Sequence, residues 1–272
     1  MTILPLAPIK RKAGRTQLLR RWRVHARAVL LPTAVAVIFV AAWETICALG
    51  SVPKVILPAP ADVWRILVTG LPLILQHAVP TFVESLAGFA IATVLGILIA
   101  AAITYSILLR EAFYPHLVLF QLVPKVALGP LFIVWLGIGS PSRLAFATFI
   151  SFFPVVIATS TGLTQVPSDM VRLGRSLTLT KWQIFRTIRF PYALPYLFSG
   201  MKIAVTMAMI GVIVGEFIAA QQGLGFLILF AGAQSDTALI LATIGVLCVI
   251  GFGEYGAVVL GEKMIQRSYG HQ

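Results

Sequence analysis

Lys125 sits deep inside an apolar run that extends from Phe113 to about Gly137. A charge at the centre of a bilayer costs about 2.5 to 3.5 kcal/mol on insertion scales, so a charge kept there is a functional candidate. Its position is about 18 Å along a helix from the start of the run, beyond the comfortable reach of a lysine stem. An ammonium held there attracts an anionic solute. The alternatives are structural: a pair with a neighbouring acid such as Glu216, or a place at a helix end. Pro124 and Pro130 stand where they open the backbone beside it. Glu44, Glu84, Glu216, Glu254 and Lys202 also fall inside apolar runs, closer to their ends. Side chains at those depths reach the interface, so a structural role competes with a place on a solute pathway.

Other chemistries find little support. His77 and His116 are isolated, and Cys47 and Cys248 lie within apolar runs, so no metal-ligand spacing or disulfide framework is present. No GxxxxGK[ST] loop occurs, so the chain is not expected to hydrolyse ATP. No cluster of nucleophiles and acids suggests an enzyme, and no cofactor is implied.

The elements around these residues are membrane helices. The chain is 59% hydrophobic and 11% charged, with mean hydropathy +0.96, too little charge to cover a soluble surface. Runs long enough to span a bilayer occur at Val29–Leu49, about 79–105, 113–137, 143–164, about 196–220 and about 237–261. The first is too long for the apolar core of a cleaved signal and lacks a small-residue cleavage site after it. These spans define an all-α membrane bundle of about six helices. They divide the chain into a basic arm (1–28), a transmembrane domain (29–261) and a tail (262–272). Gly88, Ala92, Gly96 and Ala100 recur every four residues in the second span, which suits close helix packing.

The net charge of +12 reads as topology rather than nucleic-acid binding, because the cations flank apolar runs and form no stripe with aromatics. Eight basic residues precede Val29, and Arg172, Arg175, Lys181, Arg186 and Arg189 lie between spans four and five. Arg110, Lys263 and Arg267 fall on the same side, against Lys54, Arg65 and Arg143 on the other. That bias places both termini and the 165–195 segment in the cytoplasm. The basic arm itself is read as an anchor against anionic lipid, with partner binding as the alternative.

The 165–195 segment is long for a connection and is patterned. Pro167 and Ser168 signal a helix start, after which Met170, Leu173 and Leu177 share one face and Arg172, Arg175 and Ser176 the other. Thr180 and Gln183 fit a capping box that opens a second short helix with Trp182, Phe185 and Ile188 as its stripe, ending at Pro191. Two amphipathic helices result. They lie either in lipid headgroups or in the groove of a partner. On the opposite side two segments are expected to carry structure of their own: Leu57–Leu71, with a short helix capped by Ala61 or Asp62, and 221–236, which is Gly-rich and without a basic residue.

The stretch RLGRSLTLTKWQIFRTIRFPYALPYLFSGMKIA resembles the coupling motif of permease subunits in bacterial binding-protein-dependent ABC importers. Trp43-Glu44 with LPAPADV, LVPKVALGPLFIVWLGIG and GEFIAAQQGLGFLI resemble further regions of that family, of its nitrate, sulfonate and taurine type, in the same order. The motif usually opens Glu-Ala-Ala and carries a later Gly. Here Arg172, Leu173 and Gly174 take the first three positions and Thr178 the last. The resemblance implies an inner-membrane homodimer of permeases with two ATPase subunits below and a periplasmic binding protein above. It implies coupling through Asp169, Arg172, Gly174, Arg175, Leu177, Thr178, Trp182, Phe185, Arg189, Pro191 and Pro195. Lys125 and Glu216 are the candidates for the pathway of a small anionic solute: a sulfonate, nitrate, taurine, an aromatic acid or a vitamin precursor. The rival reading is an ion-coupled carrier, whose usual mark of two related halves with broken helices is missing.

Overall fold

The computed structural model describes residues 15–50 and 52–269. It divides at Asp62 into two compact units. Lys10, Arg11, Lys12 and the last three residues of the tail lie outside the described residues.

The first unit is built on α1 (Arg15–Ala48), whose apolar part is Leu30–Ala48. The helix thus reaches back into the basic arm as far as Arg15. Pro32 lies inside it. The Trp43 indole donates to the Pro58 carbonyl at 3.0 Å, and the Cys47 thiol approaches the Leu57 carbonyl at 3.6 Å. The LPAP stretch is therefore folded back on the end of α1, which explains why Trp43 and that stretch occur together. The next helix, α2 (Pro60–Thr69), most of which belongs to the second unit, opens with Pro60 at its first position, two or three residues earlier than a cap at Ala61 or Asp62 implies, and Asp62 stands in its first turn.

The second unit contains α3 (Leu71–Tyr105), α4 (Ile107–Leu122), a 3₁₀ turn (Lys125–Leu128) leading into α5 (Gly129–Leu136), and α6 (Ser140–Thr164). After these come α7 (Ser168–Ser176), α8 (Lys181–Ile184), a π-helical turn (Phe185–Arg189), α9 (Phe190–Ala219), α10 (Leu224–Ala233) and α11 (Thr237–Tyr269). Among the described residues five helices are long and apolar enough to cross a membrane, and the count is six where α4 and α5, bent by 92° at their break, are taken as one span.

The core is the α3–α6–α9 trio. A Cβ on Gly88 would stand 2.9 Å from that of Ala147, and one on Gly211 2.7 Å from the Ala147 Cα. The stripe of small residues on α3 is what lets α6 approach so closely, as in other membrane bundles. Phe89, Val155, Leu197, Phe198 and Val205 fill the centre. The large lipid-side residues Leu98, Val249 and Phe252 are exposed, as a bilayer solvent requires.

Two expectations are corrected. The third span is broken where 113–137 read as one run: Val123 is extended (φ −67°, ψ 133°), the conformation favoured before a proline, and Pro124 lacks the N–H that would continue the ladder. The second amphipathic helix does not end at Pro191. The turn widens to π form over Phe185–Arg189, the Phe190 N–H reaches the Phe185 carbonyl, and the helix runs on into α9. A π turn absorbs the proline's missing bond without ending the helix. The Gly-rich 221–236 segment, expected to carry structure of its own, holds the helix α10.

Candidate functional site

Two groups of residues stand at opposite ends of the bundle. At the end formed by the starts of α3, α6 and α10 and the close of α9, a polar layer is buried. α3 presents His77, Thr81, Glu84 and Ser85 there, spaced to share one face. Arg143 on α6 donates from Nε to Glu84 Oε2 at 2.7 Å and from Nη2 to Oε1 at 2.6 Å, a bidentate pair with both side chains buried. Fork geometry and burial together make this the strong form of an ion pair. Ser85 donates to Glu254 Oε1 on α11.

Glu216, at the end of α9, is 1% exposed. Its Oε1 accepts from the Thr81 hydroxyl at 2.7 Å and its Oε2 from the Gly225 N–H at 2.7 Å. Thr81 Oγ1 in turn accepts from the Leu224 N–H at 2.9 Å, and His77 Nδ1 accepts from the Gly223 N–H at 3.1 Å. Three otherwise orphaned donors at the N-terminus of α10 are thus satisfied, by a carboxylate, a hydroxyl and an imidazole. Gly223 has φ +112°, and a Cβ there would run into the Glu216 carboxylate. The GEFIAAQQGLGFLI stretch is therefore an acid, a turn and the helix that the acid caps.

Lys125 follows the break in the third span. Its Nζ donates to the Gln121 carbonyl at 3.3 Å and lies 5.2 Å from the centre of the Phe153 ring. It makes no ion pair with Glu216. Phe120 stacks on the other neighbour of this cation, Phe153, at 6.0 Å. Lys202 pairs with Glu262 of α11 at 2.6 Å.

At the other end, α7 and α8 form a rigid bracket. α7 ends in a Schellman motif: the Thr178 N–H reaches the Arg175 carbonyl at 2.9 Å and the Leu179 N–H the Gly174 carbonyl at 3.0 Å. Thr178 occupies the left-handed position of that motif with φ +58°, where glycine is usual. Its place in the resemblance to a glycine therefore has a local physical cause. α8 then begins with the full capping box: Gln183 N–H donates to Thr180 Oγ1 and Thr180 N–H to Gln183 Oε1. Gly174 is buried against Ile184 and Ile188, so α7 lies close on the start of the long helix. The Tyr196 hydroxyl donates to Gln165 Oε1 at 2.6 Å and ties α9 to the end of α6.

The apolar stripe of this bracket faces outward. Leu173, Leu177 and Trp182 are 62%, 63% and 64% exposed, and Met170 is also exposed. Trp182 stacks on half-buried Phe185 at 5.6 Å. Asp169 and Arg172 are exposed and 3.8 Å apart. Arg175 and Arg189 line a cleft between α7 and the end of α3. Pro191 is half-buried, and Pro195 is on the exposed face of α9. The structure thus places the candidates from Asp169 to Arg189 in the bracket and its π turn, and Pro191 and Pro195 in the first turns of α9. It separates Lys125 from Glu216. The residues that sequence reasoning did not assemble are His77, Thr81, Ser85 and the Glu84–Arg143 pair, for which the four-residue spacing of His77, Thr81 and Ser85 was the available sign.

Long apolar helices around a buried polar layer, with an amphipathic bracket at one end, make this an all-α membrane protein. Residues 92–258 match the family described as "Binding-protein-dependent transport system inner membrane component", and the chain belongs to that family. It is the permease component of an ABC-type importer, a transport protein that couples to an ATPase rather than an enzyme. It is 31% identical over 264 residues to the riboflavin transport system permease protein RibX of Chloroflexus aurantiacus, covering 96% of this chain and 97% of the relative. It is 30% identical over 230 residues to a probable ABC transporter permease protein of Haemophilus influenzae, covering 85% and 94%. The taurine transport system permease protein TauC of Escherichia coli is 28% identical over 266 residues, with 95% of each chain covered. Among solved structures, the fold is similar to an inward-facing MetNI methionine ABC transporter, with TM-score 0.57, 18% identity, and coverage of 69% of this chain and 96% of that one.

Proposed function

We propose that the 165–195 bracket is the surface on which the ATPase subunit docks, and that two copies of this chain form the pathway between them. The observation that carries this reading is the outward apolar stripe of Met170, Leu173, Leu177 and Trp182 on a bracket whose ends are both capped. An amphipathic helix seated in a partner's groove buries such a stripe. The cations flanking apolar runs support a cytoplasmic position for the bracket and both termini in an inner membrane. A periplasmic binding protein then delivers solute at the polar-layer end. Closure of the ATPase pair moves the bracket, and because α8 is continuous with α9 through the π turn, that motion passes directly into the core.

The solute proposed is small and anionic or vitamin-like, in line with relatives named for taurine, aliphatic sulfonates, nitrate and riboflavin. Lys125, at the break in the third span, attracts it. Glu216 serves the pathway through α10, whose N-terminus it holds. The test is co-purification and uptake. Leu173→Asp in the full transporter is expected to abolish ATPase association and ATP-driven uptake while the permease still inserts. Retained association and uptake would overturn the docking assignment. Lys125→Met is expected to lower uptake of an anionic solute at least tenfold, and unchanged uptake and selectivity would remove Lys125 from the pathway.

A further inference from the structure

Two adjoining cavities, of about 330 and 300 Å³, open under α7 where the ends of α3 and α6 meet the π turn. They share Tyr105 and Arg189 in their walls. Arg175 and Lys181 line the first, and Arg110 the second. Four cations from α4, α7, α8 and the π turn therefore converge on one cleft. None of the four makes an ion pair among the described residues. The carboxylates on the neighbouring elements are Asp169, which pairs with Arg172, and Glu111, which does not line the cleft. Like charges gathered without a counter-charge repel one another, and arginine forks suit the oxygens of a phosphate.

The walls of the cleft are largely polar, and large apolar side chains stand exposed next to them. Tyr105, Ile107 and Leu108 are 68%, 66% and 74% exposed beside it. A free anion has no use for that surface, whereas a molecule with a phosphate head and acyl chains uses both parts. We propose that the cleft holds the headgroup phosphate of an anionic phospholipid, with its chains along Tyr105, Ile107 and Leu108. Basic pockets between membrane helices on the side facing the cytoplasm recognise such headgroups. Arg175 and Arg189 stand on α7 and the π turn, so the bound lipid braces the bracket from behind while its apolar stripe remains free in front. This assignment rests on the cytoplasmic position proposed above for the bracket and not on which solute is carried.

The test uses the purified full-length chain in neutral detergent, with phosphatidylglycerol, phosphatidylcholine or inorganic phosphate as probe. Retained lipid is counted by native mass spectrometry and thermal stability is followed in parallel. Phosphatidylglycerol is expected to be retained and to raise the melting temperature, and the other two probes are not. Arg110→Gln and Lys181→Gln are each expected to weaken phosphatidylglycerol binding about fivefold. Arg110→Lys, which keeps the charge, retains most of it, and Arg186→Gln, outside the cleft, leaves it unchanged. Equal retention of the two lipids, or full retention by the Arg110→Gln/Lys181→Gln double variant, overturns the proposal. Stabilisation by inorganic phosphate as strong as by phosphatidylglycerol identifies a free-anion site instead. Expulsion of the lipid on adding the ATPase subunit assigns the cleft to that partner's acidic side chains.

Discussion

Trp182 and Arg143 mark opposite ends of one bundle and are buried to opposite degrees, 64% exposed against 4%. Around Trp182 the order is local. The Schellman close of α7, the capping box of α8 and the seat of Gly174 on Ile184 all join residues within one short segment. Around Arg143 the order is long-range: Glu84 is 59 residues away, Thr81 and Glu216 are 135 apart, and Ser85 and Glu254 are 169 apart. The first region keeps its shape while leaving its apolar face unpartnered. The second has its shape only when α3, α6, α9, α10 and α11 have come together. The bracket is built to stand with its apolar stripe uncovered, as the proposed docking surface must, whereas the polar layer holds the bundle itself.

That contrast is broken most severely at the Glu84–Arg143 pair. Arg143→Leu leaves a carboxylate buried without its guanidinium, and the expected loss is about 3 to 5 kcal/mol in unfolding free energy. Glu84→Leu leaves the opposite charge at a similar cost. The double variant Glu84→Leu/Arg143→Leu is expected to recover most of it, because two apolar groups replace a satisfied pair. Chemical denaturation in detergent checks this. A double variant no better than either single one would mean that the pair's worth lies elsewhere.

The next effect falls on the α10 cap. Glu216→Gln keeps the shape but removes the charge from two short bonds and turns one acceptor into a donor facing the Gly225 N–H or the Thr81 hydroxyl. A loss of about 1.5 to 3 kcal/mol is expected. Hydrogen exchange should rise selectively in 223–227. Uniform exchange across the chain would instead point to a general loosening, with no specific tie between Glu216 and α10.

How much of this was legible in the sequence follows the same division. The capping box Thr180–Gln183 and the stripe of Met170, Leu173 and Leu177 are patterns of three and four residues, and the structure contains both. Five of the six expected spans were legible as single helices because each backbone bond in lipid must close within its own helix, which forces long apolar runs; the third proved to be a bent pair. The cap on α10 was not, since nothing near Glu216 indicates that Thr81 will share its carboxylate. Arg143 read as an interface cation for the same reason. The run past Pro191 failed differently: a proline stops an α-helix by its missing N–H, and the π turn that bypasses it leaves no composition signal.

A smaller effect, of opposite sign, is expected at Thr178. A β-branched residue at φ +58° carries a conformational cost of about 1 to 2 kcal/mol. Its hydroxyl donates to the adjacent Leu177 carbonyl at 2.7 Å and offsets part of that. Thr178→Gly is therefore expected to stabilise the chain by about 1 kcal/mol, less the added freedom of glycine in the unfolded state. Thermal unfolding reads the sign. A destabilised Thr178→Gly would show that the hydroxyl, rather than the backbone geometry, holds the turn.

The smallest effect on folding is expected where the effect on coupling is large. Trp182→Ala removes an exposed ring and one stacking contact with Phe185, and surface changes of this kind alter stability by about 0.5 kcal/mol or less. The bracket's shape does not depend on it, since Thr180, Gln183 and Gly174 remain. If the ring is an anchor in a partner's groove, ATPase association falls by a factor of ten or more, because a few buried aromatic anchors carry most of such an interface. Unfolding and ATPase co-purification, measured on the same preparation, separate the two roles. A Trp182→Ala chain that loses stability in step with association would place Trp182 with Arg143, among residues that hold the bundle, and erase the difference between the two ends.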